Sequence, residues 1–553
     1  MFARIKHVGS YSYLQLVETR REAKQVRQRV VATLGRIEQL QQKGSLENVI
    51  ESLARFSKEA LALICGKKEP STQSWKVGPV LVFERLWEQT GLNQIFHQLL
   101  KGRKFEFDVE RTIFTSVLHR LCCSGSDRQA DRWKKDYWIK GVSNLNLHHF
   151  YRAMAWLGAP LEKKSKASNP ELAVRCWKDR VEEALFEQRR DLFTDLSLVF
   201  FDTTSLYFEG QGAQSLGRRG KSKDHRPDLK QMVVGTVLDG AGNPICCQLW
   251  PGNTTDVKTL IPVAQQLKER FGIQKICVVA DRGMISSWTL AELETMKWDY
   301  ILGARMRSQK EVRDEVIRSL EKVPEGFEVI YPERVTSKDP SPLAVKEVMV
   351  GTHRYIVCYN AEQARKDAHD RKAIVQSLKE ALKAGDKSLI GNQGYRRLIQ
   401  SQPPHFQIDE AKVVEESRYD GLWVLRTNTS LPTAQIALRY KELWRVERIF
   451  RDTKTLLKTR PIYHKCDETI RGHVFCSFLA LVLLRQLDQM LEAKKLDLEW
   501  NDILRDLKAL QRMKLQQNGK CLWIRSQIQG CCSQVFAAVG LSLPPVIQKP
   551  SDP

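Results

Sequence analysis

Two hydrophobic periodicities divide the chain. Apolar residues that run together or alternate predict strands, and apolar residues that recur every three or four positions predict helices. The clearest run is Leu198-Val199-Phe200-Phe201, which stops abruptly on Asp202-Thr203-Thr204. Four large apolar residues without polar alternation predict a strand buried on both faces, with Asp202 at its C-terminal tip. Ile276-Cys277-Val278-Val279-Ala280 repeats the arrangement and stops on Asp281, with Gly283 marking the turn that follows. Between the two runs, residues 231–238 and 244–250 predict strands joined by the glycine-rich turn 239–243, which makes Asp239 a turn residue. Thr254, Thr255 or Asp256 can cap a helix that runs to about residue 270, and 286–297 predicts another helix.

The flanks follow other patterns. Residues 26–34 alternate, with Arg27 and Arg29 on one side, and together with 11–18 predict a hairpin with a basic outer face. Residues 45–64 read as helix. The stretch 76–195 is rich in helix and punctuated by Trp, Arg and Lys, and the Lys/Ser/Pro segment 160–170 reads as a linker. Further on, 345–350 and 353–359 flank Gly351-Thr352 as a hairpin, 361–383 is a polar helix, and 412–418 with 422–425 predict a second hairpin around Asp420-Gly421. Residues 440–454 lack Gly and Pro and predict one helix, with Tyr440, Leu443, Trp444, Glu447, Arg451 and Lys454 on a common face. Residues 474–484 form an apolar helix, followed by a Lys-rich amphipathic pattern over 497–512.

Charge changes the picture more than length does. The 553 residues carry 88 Lys+Arg against 65 Asp+Glu, a formal charge of +23, with a sequence pI near 9.4. That excess points to an acidic polymer, nucleic acid, better than to a small-molecule substrate. The 13 cysteines show no CxxC spacing and no even framework, which reads as reduced thiols in the cytosol. His464, Cys466, His473 and Cys476 fit no common zinc spacing. The first residues show no signal peptide, and no apolar run approaches a membrane span.

Candidate chemistry starts from the two strand-end carboxylates. A single Asp after a strand commonly starts a turn or caps a helix. Two of them side by side in one sheet begin a site for a divalent cation such as magnesium, which prefers oxygen ligands held rigidly. Glu447, on a helix face that also carries apolar and basic groups, supplies a third carboxylate.

The order Asp202, Asp281, Glu447, with Tyr440 seven residues before the Glu and Lys454 seven after it, resembles the DDE transposases of bacterial insertion sequences. More narrowly it is similar to the insertion-sequence-4-like group, whose last catalytic helix carries a Tyr-Arg-Glu-Lys signature. The blocks 220–229, 252–256, 419–421 and 460–464 resemble the same group. One position departs: Leu443 stands where the signature has Arg, and Arg451 lies on the same face.

The resemblance implies an α/β fold, a ribonuclease-H-like mixed-sheet core with a β-rich insertion, plus small N-terminal α+β and helical DNA-binding regions. The expected boundaries are 1–75 for the hairpin-and-helix end-binding region, 76–195 for the helical DNA-binding region and 196–304 for the first part of the core. They continue with 305–430 for the insertion over the active site, 431–480 for the rest of the core with the Glu helix, and 481–553 for a C-terminal helical region. It further implies that Asp202, Asp281 and Glu447 hold two Mg2+ ions, with Mn2+ as a substitute. Tyr440, Arg451, Lys454, Lys223, His225 and Arg226 become the DNA contacts. The implied partners are double-stranded DNA, as terminal inverted repeats and target, and a second copy in a synaptic homodimer, with no membrane and a cytoplasmic location. The implied activity is cut-and-paste transposition. A ribonuclease-H-like nuclease without strand transfer and a domesticated DNA-binding protein are the alternatives.

Overall fold

A computed structural model describes residues 2–22, 25–42, 45–54, 71–161, 174–190, 198–210, 212–273, 276–320, 323–331, 342–383, 398–402, 405–517 and 520–548. Most of the expected linker at 160–170 and of the expected helix beyond residue 54 lies outside these residues. The chain divides into two units, residues 1–82, 135–138 and 498–553 in one and 83–134 and 139–497 in the other.

In the first unit, Phe2–Val8, Tyr11–Glu22 and Gln25–Arg36 form an antiparallel three-stranded sheet, followed by helices Ile37–Gln42 and Ser45–Ala54. The expected hairpin is there, extended by a strand on its outer side. The C-terminal region, expected to be helical from residue 481, also carries sheet. Gln511–Gln517 and Lys520–Arg525 form a hairpin, and Ser71–Lys76 pairs antiparallel with its first strand. The amphipathic pattern therefore ends at helix Trp500–Ala509. Beyond it Met513 and Leu515 alternate with polar residues, a strand period. Trp138 meets Trp75 and Trp523 edge to face over this sheet, and Trp75 and Trp523 are tilted against each other, with centroids 4.9–5.9 Å apart.

The second unit is built on one nine-stranded sheet. In chain order its strands are β1 (Leu198–Tyr207), β2 (Gln231–Asp239), β3 (Pro244–Pro251), β4 (Cys277–Ala280), β5 (Asp299–Gly303), β6 (Glu328–Ile330), β7 (Leu343–Val350), β8 (His353–Tyr359) and β9 (Leu422–Thr427). Their spatial order is β6-β7-β8-β9-β5-β4-β1-β2-β3. β1, β2 and β3 are antiparallel, and β4 and β5 join parallel to β1, a mixed sheet of the ribonuclease-H-like order. Four strands of the expected insertion, β6 to β9, continue this sheet, because β9 pairs antiparallel with β5, while Ile399–Gln402 and His405–Ile408 form a separate two-stranded sheet.

Its helices are α1 (Leu92–Leu100), α2 (Val109–Cys122), α3 (Asp127–Trp133), α4 (Leu147–Gly158), α5 (Trp177–Arg189), α6 (Leu260–Phe271), α7 (Ser287–Thr295), α8 (Ala361–Lys383), α9 (Glu410–Ser417), α10 (Thr433–Lys441), α11 (Trp444–Thr455) and α12 (Asp467–Ala493). One face of the sheet buries Val199, Phe201, Val237 and Val278 against Leu260, Val263, Leu267 and Leu293 of α6 and α7. The other face buries Leu206, Met232 and Val234 with Ile470 and Val474 of α12. The apolar helix expected over 474–484 is part of the longer α12, which, contrary to the expectation that nothing approaches a span, is long and apolar enough to cross a membrane; two-thirds of its most apolar window is buried within the fold, as in a core helix. Gly472 lies against the Met154 carbonyl of α4, so a Cβ there would collide with backbone.

Three local expectations change. β1 does not end at Asp202: pairing with β2 continues from Asp202↔Thr236 to Tyr207↔Gln231, since Thr203-Thr204-Ser205-Leu206-Tyr207 favours strand. The second expected hairpin is replaced by helix α9, whose start is fixed by Asp409 accepting from the Lys412 N–H at 3.1 Å, ahead of the helix formers Glu410, Ala411 and Lys412. The single helix expected over 440–454 is two helices. Leu443 N–H donates to the Tyr440 carbonyl and Arg445 N–H to the Glu442 carbonyl, a tight turn that buries the Leu443 side chain.

Candidate active site

The pairing of β1 with β4 fixes the two aspartates. Parallel pairing runs from Leu198↔Cys277 to Phe201↔Ala280, so the next residues, Asp202 within β1 and Asp281 just past the end of β4, stand at the same level. Neighbouring strands lie about 4.8 Å apart. Asp202 is half-buried, and Asp281 is exposed at the start of the turn that follows β4. Met284 N–H donates to the Asp281 carbonyl at 3.0 Å, and the Arg305 guanidinium donates to the carbonyls of Arg282 and Gly283 at 3.2 and 3.3 Å, which pins that turn.

The surroundings of Asp202 are strongly charged. Thr203 N–H donates to Asp202 Oδ1 at 2.7 Å. Lys223 Nζ donates to the Thr203 carbonyl at 2.7 Å and Oγ1 at 2.9 Å, and pairs with Asp256 Oδ2 at 3.3 Å. Thr203 Oγ1 donates to Asp256 Oδ1 at 2.6 Å. Burial pushes the Asp202 carboxyl up to about 6, helped by the charges of Asp281 and Asp256 and opposed by Lys223 and the Thr203 N–H. Asp256 is a member of the site that sequence reasoning missed. It stands in the 252–256 block, where it reads as a helix cap, and only the strand register brings it beside Thr203.

Tyr440, expected to touch DNA, donates its hydroxyl to Asp281 Oδ1 at 3.1 Å. Glu447 lies on the exposed side of α11, whose buried side is Val446, Ile449, Phe450 and Thr453, and α11 packs on β1 and β2. The helix break separates Tyr440 and Glu447 from the single face expected of them. The three carboxylates do not close into a set of oxygens within 4.8 Å of one another. Among the described residues, that closeness is reached by Asp127, His464 and His473. This second group is an ion-pair network around a cation already present. Arg120 donates to His473 Nδ1 at 3.0 Å, His473 Nε2–H donates to the Thr459 carbonyl at 3.1 Å, and His464 Nε2 meets Asp127 Oδ2 at 3.1 Å. Both ring nitrogens of His473 are thus engaged, and Cys466 and Cys476 take no part.

The expected basic contacts divide into two kinds. Lys454 Nζ sits on Asp224 Oδ1 at 2.8 Å beside Arg460 at 2.7 Å, and Arg226 pairs with Asp228 at 2.8 Å while its guanidinium lies over the Tyr207 ring. His225, in a left-handed conformation with φ 56°, and Arg451 are exposed. The donor set around Asp202 and Asp281 is all oxygen, on one rigid sheet, with an ammonium as the local counter-charge. Such donors suit a hard divalent cation such as Mg2+ or Mn2+.

Comparison with known proteins adds family evidence to this geometry. Residues 3–67 match the model of the IS1634 family transposase N-terminal domain. Residues 194–483, just over half of the chain, match the model of the transposase DDE domain. A search of curated proteins found no match. Among solved structures, the Mos1 transposase paired-end complex with left transposon end is similar at 15% identity and a TM-score of 0.15, over 36% of this chain and 60% of that one. The Mos1 mariner paired end complex with Mn is similar at 14% identity and a TM-score of 0.15, over 40% and 72%. The chain therefore spans about 60% of the length of the first of these. With a DDE-domain match running from before β1 into α12, the chain belongs to the DDE-domain transposases.

Proposed function

We propose that this transposase binds the terminal inverted repeats of an insertion sequence, cleaves them by metal-dependent hydrolysis and joins the freed 3′-hydroxyl ends to target DNA. The observation that carries the reading is the register of β1 on β4, which presents Asp202 and Asp281 together while α11 carries Glu447 on a helix packed against β1. Asp202, Asp281 and Glu447 are the residues that would hold two divalent ions. Bound there, such ions would supply Lewis-acid activation of the attacking oxygen and charge stabilisation of the leaving one. Asp202 and Asp281 orient the site from rigid strands, and Tyr440 holds the Asp281 carboxylate by its hydrogen bond. Exposed His225 and Arg451, with Arg226 and Lys223, are the side chains offered to the DNA backbone. The N-terminal sheet is assigned to end binding, the assembly to a synaptic homodimer in the cytosol, and the α10–α11 segment to the Tyr-Arg-Glu-Lys group, in which Leu443 replaces the Arg.

The test is incubation of the purified protein with a labelled duplex carrying its element's terminal inverted repeat, with and without Mg2+. Metal-dependent cleavage at the repeat boundary followed by a joined product is expected. Cleavage without joining would make it a nuclease, and binding without cleavage would make it a DNA-binding protein.

A further inference from the structure

Asp256 is braced against both acid-bearing segments. Its Oδ1 accepts the Thr203 hydroxyl at 2.6 Å, one residue beyond Asp202. Its Oδ2 faces the Lys223 ammonium at 3.3 Å. The same oxygen would stand 3.3 Å from a Cβ on Gly283, two residues beyond Asp281, so the absence of a side chain there lets the carboxylate approach the turn. Lys223 is fixed further by the Thr203 carbonyl and hydroxyl, and its own N–H donates to Ser205 Oγ at 2.9 Å. The ammonium cannot swing away from the peptide that follows Asp202 without breaking these bonds.

We propose that Asp256 is a tuning residue for the acid pair: its carboxylate offsets the Lys223 ammonium that Thr203 holds beside Asp202, and so sets how tightly the aspartates take a divalent cation. The inference rests on the metal-dependent reading of the site. Asp202, Asp281 and Asp256 against Lys223 leave two uncompensated negative charges. Neutralising Asp256 leaves one, so a cation is attracted less. Removing Lys223 as well restores two. Asp256→Asn keeps a side-chain oxygen for the Thr203 hydroxyl, so it removes the charge while preserving the brace.

The experiment is Mn2+ binding to the full-length chain, read from the electron paramagnetic resonance signal of free Mn2+ at fixed ionic strength, with circular dichroism as a check on folding. Asp256→Asn is expected to raise the Mn2+ Kd about ten-fold, and Lys223→Met in that background to bring it back to within about three-fold of wild type. Lys223→Met alone, which leaves Asp256 in place, is expected to tighten binding. Equal binding by wild type and Asp256→Asn, a double variant as weak as the single one, or no tightening by Lys223→Met would overturn the role of Asp256 alone. Wild type that binds no Mn2+ would overturn this role together with the metal-dependent reading.

Discussion

The Tyr440 hydroxyl donates to Asp281 Oδ1 at 3.1 Å, and a Cβ on Gly303 would collide with that hydroxyl. Helix α10 supplies the hydroxyl, the end of β5 supplies the missing side chain, and the end of β4 supplies the acceptor. Burial, with the Asp281 charge beside it, holds the phenol well above its ordinary pKa, so it stays a donor at any working pH. Tyr440→Phe is expected to slow end cleavage about five-fold, the worth of about 1 kcal/mol of hydrogen bonding, with end affinity unchanged. Lost affinity at an unaltered rate would return Tyr440 to the role of a DNA contact. Gly303→Ala, which drives the hydroxyl off its site, should show the same kinetic defect.

Lys454 has an anionic partner inside the chain. Its ammonium and the Arg460 guanidinium share the buried Asp224 carboxylate. Lys454→Ala is expected to destabilise the protein by about 2 kcal/mol in urea unfolding, less than for a buried pair broken outright, because Arg460 remains. Asp224→Asn should cost more, since two cations then lose their partner. A Lys454→Ala protein with unchanged stability but weaker, less salt-dependent DNA binding would show instead that the lysine serves phosphate.

Acid should weaken the fold through two neutral histidines. Burial, reinforced by the Arg120 charge, lowers His473 to about 3, and the same causes lower His119 to about 4. Unfolded histidine titrates near 6.5, so between these values the unfolded chain binds more protons and stability falls as pH falls. At pH 5 each histidine should have cost about 2 kcal/mol relative to pH 7.5. In His473→Gln, whose amide can accept from Arg120 and donate to Thr459, the pH-induced drop in urea midpoint should shrink by about half. An undiminished drop would locate the acid sensitivity elsewhere.

How much was legible in the sequence follows from the range of the forces involved. The apolar runs before Asp202 and Asp281 predicted β1 and β4, and with them the level at which both acids emerge, because a strand buried on both faces leaves a continuous local signal. The 239–243 turn and the helix expected over 286–297 were readable for the same reason. The end of β1 was not, since it depends on a partner strand that begins at Gln231. The break at Glu442–Leu443 was hidden as well: the segment has no Gly or Pro, and what bends it is burial of Leu443. Asp256 and Asp224 escaped notice because their roles exist only where distant segments meet. Asp256 looks like a cap and Asp224 like a loop residue until Thr203, Lys454 and Arg460 are in place.

The central claim is that Asp202, Asp281 and Glu447 act as one site although they do not form a closed cluster in the protein by itself. The measurement that tests it most directly compares Asp202→Asn, Asp281→Asn and Glu447→Gln for end binding and Mg2+-dependent cleavage, side by side with wild type. The account predicts that each variant binds the ends nearly as wild type does and cuts at least a thousand-fold more slowly, about 4 kcal/mol of lost transition-state stabilisation. Glu447→Gln cutting at close to the wild-type rate, with the two aspartate variants inactive, would contradict it and remove the α11 carboxylate from the site.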